Sequence, residues 1–159
     1  KQLQDVCMHM AAHDGAAVVE VLQNCVIFND GTHKEVTDKE VRDDRQLWLE
    51  HGKPMIFGKN KDKGIVLRGT KLEVVTIGEN GITEKDILVH DETTENTGIH
   101  MMLAQMRPPE FPMAFGVIRA YKQPTYNQLF EKQMQEAQEN AKIKCVDDLL
   151  NSGETWEVK

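Results

Sequence analysis

Apolar residues recur at three- and four-residue spacing at the start of the chain. Leu3, Val6, Cys7, Met10 and Ala11 predict an amphipathic helix closed by Gly15. The pattern then changes. "AAVVEVLQ", residues 16–23, is a continuous apolar run, as expected of a strand at the centre of a parallel sheet. It stops at Gln23-Asn24, presents Cys25 and turns away through Asn29-Asp30-Gly31. Loops at such strand ends are where open α/β sheets hold ligands, so the position draws attention to the thiol.

Further along, Thr37 with Glu40 three residues later forms a capping-box pattern, and Gly52 follows, predicting a weakly amphipathic helix between them. Three strands are expected at 54–58, 63–68 and 71–77, joined by the lysine-rich turn "KNKDK" and by Gly69-Thr70, as a small antiparallel meander. A short strand at 86–90 and a helix over about 94–106 come next, the helix broken by Pro108, Pro109 and Pro112. "MAFGVIRAY" reads as another strand. Thr125 and Gln128 cap a long helix whose Tyr126, Phe130, Met134, Ala137 and Ala141 share one face. A helical turn and a tail, "CVDDLLNSGETWEVK", end the chain. The fold class expected is α/β, in three parts: residues 1–52, 53–123 and 124–159. A helix that opens the chain at Lys1 and leads straight into a buried strand looks like the middle of an α/β unit. The chain is therefore expected to be the C-terminal piece of a longer protein.

Composition narrows the function. The 159 residues are 40% hydrophobic and carry a net charge of −7, an acidic balance that argues against nucleic-acid binding. No apolar run is long enough for a membrane span, and no signal peptide is seen. Three widely spaced cysteines are no disulfide framework and suit a reducing cytoplasm. Taken alone, Cys25 has three readings: a small buried residue, a nucleophile with His33 or His13 as base, or a metal ligand.

Four phrases in fixed order decide among them: "VEVLQNCVIFNDG", "LEHGKPMIFG", "ILVHDETTENTGIHMMLAQM" and "PMAFGVIRAYKQPTYNQL". Together they resemble the C-terminal half of the β-subunit of 2-oxoacid:ferredoxin oxidoreductases, closest to the 2-oxoglutarate type. The resemblance runs from about residue 2 to about 135. It implies part of a thiamine-diphosphate-binding-fold parallel sheet followed by a mixed α+β extension. It also implies oxidative decarboxylation of a 2-oxoacid on thiamine diphosphate and Mg²⁺, transfer of the acyl group to coenzyme A, and passage of electrons through a 4Fe–4S cluster to ferredoxin. The expected partners are the α-subunit of the same enzyme and ferredoxin. In this family three cluster cysteines lie in the N-terminal half, two of them in C-P-G-C. The fourth lies at a strand end in a Cys–x–x–Phe setting that "NCVIFND" matches, so the ligand role falls on Cys25. Neighbouring backbone N–H groups in the turn are expected to donate to the sulfurs.

Neither C-P-G-C nor the family's Gly-Asp-Gly…Asn diphosphate motif occurs in these 159 residues. The piece by itself is thus expected to bind no cofactor and to be inactive, and no catalytic residue is assigned. The alternative reading is a non-catalytic assembly or interaction domain. Other candidates have plainer explanations. Cys7 lies on the stripe of the first helix, and Cys145 reads as a half-buried thiol. His9 and His13, at i, i+4, lack a third zinc ligand. His90-Asp91-Glu92 reads as a structural strand end, a subunit contact or a helix cap. Lys59, Lys61 and Lys63 form either a soluble hairpin turn or a docking patch for an acidic ferredoxin.

Overall fold

The computed structural model describes residues 1–154 and 156–158. They divide into two compact units, Lys1–Lys122 and the segment from Gln123 onward. The first is a mixed α/β unit.

Its first element, α1 (Gln2–Ala11), is the expected helix. It buries no residue fully, with Val6 and Cys7 only half-buried on its inner side. The strand expected at 16–23 does not form. The run makes no backbone hydrogen bond to another segment among the described residues, and Val18 and Val21 are exposed to 95% and 55%. A strand exists only by hydrogen bonding to neighbours, and a central parallel strand needs them on both edges. Among the described residues none is offered to this segment, whose one bridge comes after it, between Cys25 and Asn29.

The helix expected between Thr37 and Gly52 is also replaced. Two single turns, α2 (Lys34–Thr37) and α3 (Arg42–Arg45), lead into strand β1 (Gln46–Leu49). Thr37 ends α2 instead of capping a helix, its hydroxyl donating to the carbonyl of His33 at 2.9 Å. The residues after α3 alternate: Leu47 and Leu49 are buried while Trp48 points outward. That period of two fits a pleated surface, and it wins over the weak helical stripe. β1 pairs in parallel with β5 (Met113–Gly116), Gln46 opposite Met113 and Leu49 opposite Gly116. The rings of Trp48 and Phe115 stack with centroids 5.1 Å apart.

The meander forms as expected. Strands β2 (Ile56–Phe57), β3 (Lys63–Arg68) and β4 (Lys71–Thr76) are antiparallel in that order. Gly69 takes the positive φ of 62° that the tight β3–β4 turn requires. The strand expected at 86–90 is reduced to one bridge, Pro54 with Val89, plus four flanking bonds, two of them accepted by the carbonyls of Leu88 and His90 from Met55 and Gly52. The amide of Leu88 donates to Ile65 and that of His90 to Lys53. Helix α4 (Gly98–Gln105) starts later than expected and ends before the prolines. Its Leu103, with Leu47, Met55, Ile65, Ile87 and Met106, forms one core under the meander and the β1–β5 pair.

In the second unit, the capping box opens α5 (Tyr126–Asn140). The amide of Gln128 donates to the Thr125 hydroxyl at 3.2 Å, and the Thr125 amide to the Gln128 carboxamide at 2.9 Å. The apolar face is present, with Tyr126 and Phe130 stacked, yet no residue of α5 is buried. A last turn, α6 (Val146–Leu150), follows. The tail expected beyond it includes residues 155 and 159, which lie outside the described residues.

Candidate functional site

Cys25 stands at the base of a tight turn. The amide of Asn29 donates to the Cys25 carbonyl at 2.9 Å, so residues 26–28 bulge outward. Val26, Ile27 and Phe28 are 73%, 82% and 89% exposed, whereas Cys25 itself is half-buried. Curling the backbone this way brings successive N–H groups to the side of the sulfur. The amides of Phe28, then Ile27, and more weakly Asn29, hold the thiol below its ordinary pKa against the opposing effect of desolvation. Backbone donors grouped around one anion form a nest, which favours thiolate, the form that binds metals. Asn24 braces both arms of the loop: its carboxamide donates to Asp30 at 2.8 Å and accepts from the Gly31 amide at 2.8 Å. Gly31 has a φ of 75°, which an L-side chain rarely adopts.

This arrangement suits one ligand position of a thiolate-held cluster, because bonds from backbone N–H to ligating sulfur are how proteins stabilise such sulfurs. It suits a nucleophile less well, since no histidine is among the groups that act on the thiol. The described residues contain no group of three or more His, Cys, Asp or Glu able to hold a metal. Cys25 thus supplies at most one of four ligands.

The other cysteines have local roles. Cys7 packs along α1. Cys145 is exposed, not half-buried, because its sulfur accepts from the Asp148 amide at 3.4 Å and caps α6. His9 and His13 do not act together, and His9 instead faces Glu92, with 3.7 Å from Nε2 to Oε1. The segment His90-Asp91-Glu92 does not cap α4, which begins at Gly98. Asp91 accepts from the Thr93 hydroxyl at 2.7 Å and the Thr93 amide at 2.9 Å, bonds that hold its carboxyl below its usual pKa. Asn96 accepts from the Gly98 amide at the start of α4. The lysine turn is smaller than the sequence suggests, since Lys63 is bound to Asp44 at 2.8 Å and only Lys59 and Lys61 project freely. Sequence reasoning missed His100, which lies buried against His90. Its one signal was a histidine on the apolar helix "GIHMMLAQ".

The phrases around and after Cys25 resemble the β-subunits of 2-oxoglutarate oxidoreductases, and comparison with curated proteins bears out the resemblance. The 2-oxoglutarate oxidoreductase subunit KorB of Mycobacterium tuberculosis is 32% identical to the chain over 159 residues. The match covers 98% of this chain but 42% of KorB, of which it is the C-terminal part. The chain therefore spans less than half the length of this relative. No family model matches the chain, and no solved structure matches it significantly. No helix among the described residues is long and apolar enough to cross a membrane.

Proposed function

We propose that the chain serves as the C-terminal part of the β-subunit of a cytoplasmic 2-oxoacid:ferredoxin oxidoreductase acting on 2-oxoglutarate. The observation that carries this reading is the end-to-end match to the C-terminal part of KorB. Two features of the fold support it. The parallel pair β1–β5 is a fragment of a sheet type that normally lies buried in a larger array. The apolar run at 16–23 has the composition of a further strand and no partner among the described residues.

Within the whole enzyme, thiamine diphosphate with Mg²⁺ would supply the decarboxylation chemistry and a 4Fe–4S cluster the route for electrons to ferredoxin, with coenzyme A taking the acyl group. In this reading Cys25 provides one cluster ligand. The amides of Ile27, Phe28 and Asn29 stabilise its thiolate, and Asn24 holds their turn in shape. The remaining three thiolates come from polypeptide corresponding to the rest of the relative. The α-subunit is the partner across which the substrates bind. Lys59 and Lys61 are the candidates for steering an acidic ferredoxin.

The test is made on the complete β-subunit assembled with its α-subunit. Cys25→Ala should abolish the brown iron–sulfur absorbance and electron transfer while leaving thiamine diphosphate bound. Cys7→Ala and Cys145→Ala should keep the colour. Full absorbance in Cys25→Ala sinks the ligand assignment, and an assembled enzyme without 2-oxoacid turnover sinks the wider reading.

A further inference from the structure

The unit 1–122 contains two imidazoles that no catalytic role uses. His90 is 1% and His100 4% exposed. His90 Nε2 lies 2.8 Å from the carbonyl oxygen of Val117, and His100 Nε2 lies 2.8 Å from that of Asp91. A carbonyl only accepts, so each Nε2 must carry the proton and donate it. Each neutral ring then turns a bare Nδ1 into the interior, and both Nδ1 atoms are buried with no partner among the described residues. The rings meet edge to face, with centroids 6.3 Å apart.

Four segments converge on this pair. The backbone of His90 is held by the β1–β2 connection, its amide donating to Lys53 and its carbonyl accepting from Gly52. Its side chain reaches the residue after β5, and His100 reaches back from α4 to the strap at Asp91. One residue on, the carbonyl of Glu92 accepts from the Ala120 amide at 2.7 Å. The pair closes the strap 90–93 onto both neighbours.

A proton entering at either Nδ1 would create a buried charged donor with no acceptor, a state that the interior opposes strongly. We propose that His90, packed against His100, forms a proton-operated latch, closed while its ring is neutral and opened in mild acid, when a proton entering it frees the strap from the segment after β5 and loosens its seat on α4. The surroundings agree in sign. Burial is the largest influence and pushes the pKa of His90 below its ordinary value. The Val117 carbonyl and the Glu92 carboxylate oppose this, while His100 and His51 push the same way. Of the remaining charges nearby, Asp91 lies 3.7 Å from His51, and Glu92 lies 3.7 Å from His9 on α1. Both acids are thus shared with more exposed histidines.

Because the folded pKa of His90 is depressed, the open state binds more protons than the closed one. Closure is complete above about pH 6.5 and is lost as the pH falls from there through the folded pKa. Nitrogen-detected NMR of the full chain tests this. At neutral pH the His90 ring should appear as the neutral Nε2–H form. Between about pH 6.5 and about pH 5, protection of the Gly52, His90 and Ala120 amides, corrected for intrinsic exchange, should fall by up to about tenfold per pH unit per proton. Glutamine can donate to a carbonyl but does not titrate, so His90→Gln or His100→Gln should flatten that fall. Should a variant fail to fold, the ring forms and protection of the unaltered chain still decide. An Nδ1–H or charged ring at neutral pH, flat protection down to about pH 5, or a fall that persists in both folded variants would overturn the latch.

Discussion

Gly64 is the second residue of β3, buried between Ile56 on β2 and Val75 on β4. A methyl group placed there would lie 2.9 Å from Cγ1 and 3.1 Å from Cγ2 of Ile87, and nearer still to Cδ1. Carbon atoms pack comfortably at about 3.5–4.0 Å, so Ile87 must retreat by about an ångström. It is 3% exposed and part of the central core, which leaves it nowhere to go. Overpacking of this kind costs about 1–3 kcal/mol. Replacing glycine by alanine returns about 0.4–1 kcal/mol by restricting the unfolded chain. Gly64→Ala should therefore destabilise by about 1–2 kcal/mol. Ile87→Ala alone should cost about 2–5 kcal/mol through the void it leaves. In the double variant the clash is gone and the new methyl occupies part of that void, recovering about another methylene's worth, ~0.8 kcal/mol. The pair should then cost about 2–3 kcal/mol less than the sum of the singles. Urea unfolding of all four chains, with a common slope, measures the cycle. Additivity within about 0.5 kcal/mol, or a neutral Gly64→Ala, would refute the packing argument.

Thr125→Ala removes the hydroxyl that caps α5 and should cost that helix about 1 kcal/mol. Circular dichroism of the full chain should record the loss, and Thr125→Ser should restore it. The carboxyl of Asp44 is held below its usual range by its hydrogen bond to Lys63. Its contribution is present above about pH 4 and is lost as the pH falls through the depressed value. The pair is about two-fifths exposed on both sides, so Asp44→Asn should cost no more than about 1 kcal/mol at neutral pH. The difference should vanish in strong acid or high salt. A variant that stays less stable there would point to packing in place of charge.

The parts of this fold that were legible are those whose cause is local. Gly69-Thr70 and the lysine turn specify the β3–β4 and β2–β3 connections without reference to anything distant. Thr125 and Gln128 cap α5 within four residues. The failures share one physical reason. Residues 16–23 have the composition of a strand, but strandness requires a partner, and composition cannot say whether one is present. β1 is four residues long, and its partner β5 comes more than sixty residues later, so the alternation of Leu47, Trp48 and Leu49 was too short to outweigh the capping pattern at Thr37. At the candidate site, the turn that follows Cys25 was legible in Asn29-Asp30-Gly31, and it forms there. The buried pair was not legible, because His90 and His100 are brought together by the strap crossing α4, which no spacing announces.

The exposed stretch from Val18 to Phe28 has a consequence for how such a chain must be made. It is largely exposed, rich in β-branched residues, and interrupted by a single charge at Glu20. Segments of that character pair with copies of themselves when nothing else covers them, the route by which edges seed aggregation. A cell producing this polypeptide would need that stretch covered as synthesis proceeds, or a chaperone to hold it. Covering it is then a condition of solubility, and chains left uncovered would be cleared by quality control.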